Sequence, residues 1–309
     1  MRKFLLAAVL SAAFSAPPIA AEAPKLLTPS DIVASSPASD WRRIAPKDLL
    51  VMDLAPDAAG KPRRVVIQLI SAPFSQGWVD NIRKLVAARW YDGIAVVRVQ
   101  DNYVAQWGDP DGEVAGKAKA LPAGLKVMKD GDYAVADKSV VAAYSAGAKL
   151  KDSYASVASF RDGWPFAGSL QAIWPIHCYG AVGVGRNLSP DAGTGAELYA
   201  VIGHAPRQLD RNVAVVGRVI EGIENLSALP RGTGPLGFYE DPAQRVKLVS
   251  VRMGDEVPGL PPYEYLSTES QSFAAYAGKR ANRKDDFYIQ PAGGVDICNL
   301  PVPIRVVKP

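Results

Sequence analysis

The chain has 309 residues, 48% hydrophobic and 21% charged, which is enough apolar material for a substantial core. Its formal net charge is +4. Nucleic-acid binding by counterion release needs clustered cations, and no such run follows the first few residues, so no nucleic-acid partner is expected. The 27 Gly and 25 Pro favour strands and loops over a helical bundle, giving a mainly β expectation.

The N-terminus sets the compartment. Met1-Arg2-Lys3 is basic, residues 4–14 are an almost unbroken apolar run, and Ala21-Glu22-Ala23 is an A-x-A cleavage pattern. This is the order of a secretory signal peptide. The run is shorter than the roughly 20 residues a membrane span needs, although a retained anchor is the alternative. Residues 1–23 are therefore expected to leave, placing the mature protein in the periplasm with no membrane span. Residues 24–48, rich in Pro, Ser and Ala, read as a flexible mature N-terminus.

Strand patterns follow at 49–54 and 64–70, with turn-rich Asp57-Ala58-Ala59-Gly60-Lys61-Pro62 between them as a hairpin. After Pro73, Ser75 can cap a helix reaching about Trp90, with Trp78, Ile82, Leu85 and Val86 on one face and Gly93 just past its end. Strands at 94–99 and 103–107 come next. A structureless connection over 110–176 would be unusually long, so it is read as an insertion with elements of its own. Its Trp164, Phe166 and Trp174 suggest that it folds back on the rest of the domain and forms a wall near Trp107. Strands resume at 181–184, 198–202 and 213–219, then a short helix within 220–229 and a closing strand at 246–253. Residues 256–309 read as a C-terminal extension packed on the domain formed by 49–255.

Two sets of residues resemble the cyclophilins, the peptidyl-prolyl cis-trans isomerases. Val66-Ile67-Gln68-Leu69, Ala72-Pro73, Asn81-Ile82 with Leu85-Val86, and Tyr91-Asp92-Gly93 are similar to the family's first helix and its approach. Val97-Arg98-Val99 followed by Tyr103-Val104-Ala105-Gln106-Trp107-Gly108-Asp109 resembles its F-H-R-[IV]-x-x-x-F-x-x-Q-G-G-D signature. Later, residues 197–203, Leu209-Asp210 and residues 215–219 resemble further family strands; the insertion and the extension are not covered.

The resemblance implies an eight-stranded antiparallel β-barrel capped by helices, with a groove on its outer surface that takes X–Pro segments of unfolded or flexible polypeptides, and a folding role among exported proteins. Arg98 falls at the catalytic position; its strand is otherwise apolar, which weighs against a plain surface arginine. Gln106 would hold the substrate or orient Arg98. Tyr103, Val104, Glu197, Tyr199 and Leu209 match substrate-binding positions, though each could be core. Trp107 replaces a family Gly, Val97 often a His and Glu197 a Gln; Val213 falls near a usual His, and Arg207 and Gln208 near a usual Trp. The same rewritten rim leaves open a catalytically weak binding or chaperone module on this fold. No cofactor is implied, and a monomer is expected.

Three other patterns lead less far. Ser145 in Ala143-Tyr144-Ser145-Ala146-Gly147 faintly suggests a hydrolase nucleophile with His177 or His204 as base, but the surrounding α/β pattern is missing. Gly180, Gly183 and Gly185 have the wrong order for a dinucleotide loop and more simply thin a strand. Cys178 and Cys298 can pair in an oxidising compartment or stay two buried thiols. With His177 and His204 they lack metal-ligand spacing, and no metal is expected.

Overall fold

A computed structural model describes residues 26–147 and 149–307. The apolar run and cleavage pattern of the expected signal lie outside the described residues. The described residues form fourteen strands: β1 (Trp41–Arg43), β2 (Leu49–Leu54), β3 (Arg63–Leu69), β4 (Ala95–Val99), β5 (Val104–Gly108), β6 (Val157–Arg161), β7 (Trp164–Gly168), β8 (Ile173–Pro175), β9 (Ala181–Val184), β10 (Leu198–Val201), β11 (Val215–Glu221), β12 (Val246–Met253), β13 (Tyr263–Leu266) and β14 (Ile304–Val306). Eight of them close an antiparallel barrel in the order β10-β5-β4-β12-β2-β3-β11-β9. Its interior is filled by alternate residues such as Leu50, Met52, Ile67, Val96, Ala105, Trp107, Ala200 and Leu248, so it is a packed core and not a pore.

Helix α2 (Gln76–Ala87), following the short α1 (Pro29–Ala34), closes one end of the barrel with Trp78, Val79, Ile82, Leu85 and Val86 buried. Ser75 precedes it in a left-handed conformation, and its hydroxyl neither caps the helix nor finds another partner. The expected side-chain cap is therefore replaced by backbone geometry alone. Polar groups on α2 fasten neighbouring loops. Trp78 Nε1 donates to the carbonyls of Ala192 and Gly193, both at 3.0 Å, and the Asn81 amide donates to Thr194 O at 3.1 Å.

The insertion carries α3 (Lys138–Ser145) and a three-stranded sheet, β6-β7-β8. Its aromatic rings pack on the helix end of the barrel: Tyr133 stacks on Trp78 at 5.4 Å and Tyr144 meets Phe74 edge-on at 5.6 Å. Trp164 lies against the Arg218 guanidinium of β11 at 4.4 Å.

Residues 26–48, expected to be flexible, are ordered. Thr28 forms a capping box with Asp31, and β1 pairs with β13. Trp41 is buried with Leu266, Phe273, Tyr276 and Leu300. The Pro- and Ser-rich composition hid a cap and an anchor that need the far end of the chain to be seen. Residues from 256 on supply β13, α5 (Gln271–Ala281), following α4 (Glu224–Ser227), and β14, and Tyr263 packs with Leu49 and Val66 on the outside of the barrel.

Cys178, just before β9, is bonded to Cys298 in the C-terminal extension, with an S–S distance of 2.05 Å across 120 residues. Cross-linking a loop of that size removes unfolded-state entropy and stabilises by about 2–4 kcal/mol in typical cases. The Cys178→Ser/Cys298→Ser variant is expected to lose that amount, read as a lower urea midpoint with an intact fold. Free thiols in the non-reduced wild-type protein, detected by mass spectrometry, would contradict the bond.

Candidate functional site

The site begins with an irregularity in β4. Val96 pairs with Trp107 of β5, but Arg98 pairs with Gln106, so Val97 is the extra residue of a β-bulge. Strict alternation from inward Val96 would turn Arg98 into the core. The bulge turns it outward, and Val99, opposite Ala105, points inward again. This explains how one arginine sits in a strand that reads apolar on both faces.

The register then carries the row across the barrel wall. Gln106 lies opposite Tyr199 of β10, and Tyr199 opposite Gly183 of β9. Arg98, Gln106 and Tyr199 line a groove of about 730 Å³ together with Tyr103, Val104, Leu209, Val213, Val184 and the loop 185–188. Of the substrate-binding candidates, Tyr103, Val104, Gln106, Tyr199 and Leu209 are thus brought together around Arg98.

Glu197 is not. Its side chain lies beside Gly108 and Gly185, where an added Cβ would come within 3.0 and 2.8 Å of its Cγ. From there it accepts the Gln106 amide N–H. Gln106 Oε1 is left facing Arg98, whose Nη1 donates to it at 2.8 Å. Glu197 therefore orients Gln106 and does not contact the groove. Arg207 and Gln208 also stay out: Arg207 is buried in ion pairs and Gln208 is exposed. Trp107, only 1% exposed, fills the barrel interior, so no wall can form against it.

Three partners of Arg98 were not foreseen. Its Nε donates to Leu236 O at 2.7 Å, its Nη2 donates to Gln100 Oε1, and Phe238 flanks the guanidinium at 5.5 Å, the same distance as Tyr103. The loop holding Leu236 and Phe238 runs along β4, with Tyr239 N–H on Val97 O at 3.0 Å. The only sequence signal was an apolar Phe238-Tyr239 pair in a Gly- and Pro-rich stretch. Burial lowers the Arg98 pKa, opposed by Tyr103, Glu197 and Tyr199, yet a guanidinium stays charged at any working pH.

Among the described residues, the insertion contributes none that lines the groove. It braces the rim from behind: Asp130 accepts the Ser189 hydroxyl at 2.7 Å, and Asn81 links Lys126 to Thr194. The expected wall is thus a buttress. Ser145 has a buried hydroxyl with no hydrogen-bond partner, so neither histidine serves it as a base.

Burial raises the Glu197 pKa, opposed by the Gln106 hydrogen bond, with Glu113 adding to the rise. A raised folded value means that the native state holds this proton more tightly than the unfolded chain. That stabilisation is complete below the unfolded value of about 4.3 and is lost as pH rises through the folded value. Glu197→Gln cannot titrate, so its stability relative to wild type is expected to improve between about pH 4 and 7. A urea-midpoint difference that stays constant over this range would contradict the assignment.

With this geometry in hand, the chain was compared with known proteins. The family model described as cyclophilin type peptidyl-prolyl cis-trans isomerase/CLD matches residues 61–253, more than half of the chain. No curated protein matches it. Among solved structures, the cyclophilin AquaCyp293 from Hirschia baltica superimposes with a TM-score of 0.63 at 20% identity, covering 92% of this chain and 100% of its own. A cyclophilin type peptidyl-prolyl cis-trans isomerase of Cryptosporidium parvum matches with a TM-score of 0.40 at 13% identity, covering 67% of this chain and 96% of its own. The second likeness is too slight to build on, and the first is a likeness of fold. The family match, on a closed eight-stranded barrel, places the chain in the cyclophilin-type peptidyl-prolyl cis-trans isomerase family.

Proposed function

We propose that the protein isomerises X–Pro bonds in unfolded or flexible segments of exported polypeptides, with Arg98 as the catalytic donor and Tyr103, Val104, Tyr199 and Leu209 around the prolyl ring. Rotation about an amide faces a barrier of about 18–20 kcal/mol because resonance gives the C–N bond double-bond character. As the bond twists, the prolyl nitrogen pyramidalises and gains a lone pair. A guanidinium N–H aimed at that nitrogen stabilises the twisted state more than the planar one, which is the condition for rate enhancement. No bond is made or broken, so no nucleophile, metal or cofactor is called for.

The observation that carries this reading is the outward row Arg98–Gln106–Tyr199 on an apolar groove. Among the described residues, three of the five guanidinium N–H groups of Arg98 are engaged, by Leu236, Gln106 and Gln100. One N–H on each terminal nitrogen is left for substrate. Gln106, fixed by Glu197, holds the guanidinium plane in place before substrate arrives.

The same caps on Arg98 favour a second reading, a binding or chaperone module with little turnover, because each engaged donor must be held in the right plane to help. The two are separated by one variant. Arg98→Ala should lose about 10²–10³-fold in kcat/KM on a short X–Pro peptide, the effect of removing one preorganised donor from a dry site. Its Tm should stay within a few degrees of wild type. Equal activity in the variant would end the catalytic assignment, and a wild type that binds the peptide without turnover would favour the module.

Export is supported by the basic, apolar and small-residue order of the first 23 residues and by the Cys178–Cys298 bond, which belongs in an oxidising compartment. Fractionation of expressing cells should find the protein in the periplasm with residues 1–23 removed. A cytosolic protein with its first residues intact would refute it.

A further inference from the structure

Behind the groove runs a buried polar chain that isomerisation by Arg98 does not use. The Tyr199 hydroxyl lies 2.8 Å from His177 Nε2, and His177 Nδ1 lies 3.0 Å from Asp210 Oδ1, which also accepts the His177 backbone N–H at 3.0 Å. The second Asp210 oxygen accepts Arg207 Nε at 2.6 Å. Arg207 then donates from both terminal nitrogens to Asp152, at 2.7 and 3.2 Å. Side-chain exposure is 0% at His177, 4% at Asp210 and Arg207, and 1% at Asp152. Asp152 belongs to the insertion, so the chain runs from the insertion to the groove without meeting solvent.

Tyr199 is shaped for this contact. Across the strand pair, Gly183 leaves the space its tip occupies: an added Cβ there would lie 2.3 Å from both the Tyr199 hydroxyl oxygen and its Cζ. The carboxylate beside Nδ1 favours the tautomer that carries its proton there, which leaves Nε2 to accept the Tyr199 O–H. A buried hydroxyl deprived of this acceptor would carry a desolvation cost, which it relieves by turning the ring toward the water in the groove. That is where the prolyl ring must go.

Building on the isomerase reading of this groove, we infer that His177 is a positioning residue that tethers Tyr199 against β9 and keeps the proline pocket open, with Asp210, Arg207 and the insertion's Asp152 as its backing. The tether makes Tyr199 a fixed apolar wall, and it gives the insertion a role in substrate affinity without a place in the groove.

His177→Asn removes the acceptor while its amide can still serve Asp210. It is expected to raise KM for an X–Pro peptide about ten-fold with kcat within about two-fold, because it orphans the buried Tyr199 hydroxyl and leaves Arg98 untouched. Adding Tyr199→Phe removes the hydroxyl that drives the ring outward, so the double variant should return KM to within about two-fold of wild type. A merely structural histidine would give no such rescue. Asp152→Asn, milder and remote, should raise KM about three-fold and be relieved by Tyr199→Phe in the same way, which keeps the question decidable if His177→Asn does not fold. An unchanged KM in the folded single variants, or a KM that Tyr199→Phe fails to restore, overturns the tether. Arg98→Ala is assayed in parallel: if it retains wild-type turnover the isomerase reading fails, whereas loss of its turnover beside an unchanged KM in Asp152→Asn condemns the tether alone.

Discussion

The functional surface depends on strand register. Arg98, Gln106, Tyr199 and Gly183 occupy one transverse row over four consecutive barrel strands, and each is held there by backbone pairing with the next. A slip of one residue in any of these pairings would send a side chain of the row into the core and an apolar one out. The bulge at Val97 is part of the same constraint, because it reconciles two inward valines with an outward arginine between them. Chemistry on this barrel is a matter of which face a side chain takes, and the hydrophobic interior sets that choice.

A cation on such a wall has to be managed. Among the described residues no carboxylate touches Arg98: amide and carbonyl oxygens take three of its N–H groups, two aromatic rings flank it, and Glu197 acts through Gln106. A direct carboxylate would bind the guanidinium tightly enough to compete with a peptide. Arg207 shows the contrasting solution, buried between Asp152 and Asp210 in a fully paired network. One arginine is kept available and the other is locked, and the difference lies in the charge of their neighbours.

Much of the barrel can be read from the sequence because its strands are short apolar runs bounded by turn residues, as between β2 and β3, and because α2 is amphipathic. Arg98 stands out as the one charge in an otherwise apolar strand, and Gln106 through its place in the family signature. What could not be read depends on contacts distant in the chain. Leu236 and Phe238 reach Arg98 from a loop some 138 residues away that has no periodicity of its own. Glu197 matches a substrate-binding position only through the family resemblance, and Gly108 in β5 and Gly185 just past β9 leave the space that its side chain takes instead. Residues 26–48 have the composition of a loose tail, but Trp41 becomes a core residue once β13 and α5 arrive from the other end. The destination of the insertion rests on rings of α2 and its approach, Phe74 and Trp78, whose partners no local pattern identifies.

The pairing of β2 with β12 joins Leu50 to Met253 and Met52 to Val251, so the first barrel strand finds one of its two neighbours only when the last has been made. Contacts this far apart carry the loop-closure cost before they return any stabilisation, which places the domain among topologies that form slowly. During synthesis, β2, β3 and β4 emerge with apolar faces, and each keeps one open hydrogen-bonding edge until β11 or β12 arrives, about 150 to 190 residues later. A chain that leaves the ribosome this way remains threadable for as long as its C-terminal half is withheld. The barrel can close only once β12 has been made, and Cys298, later still in the chain, can then lock the extension to it.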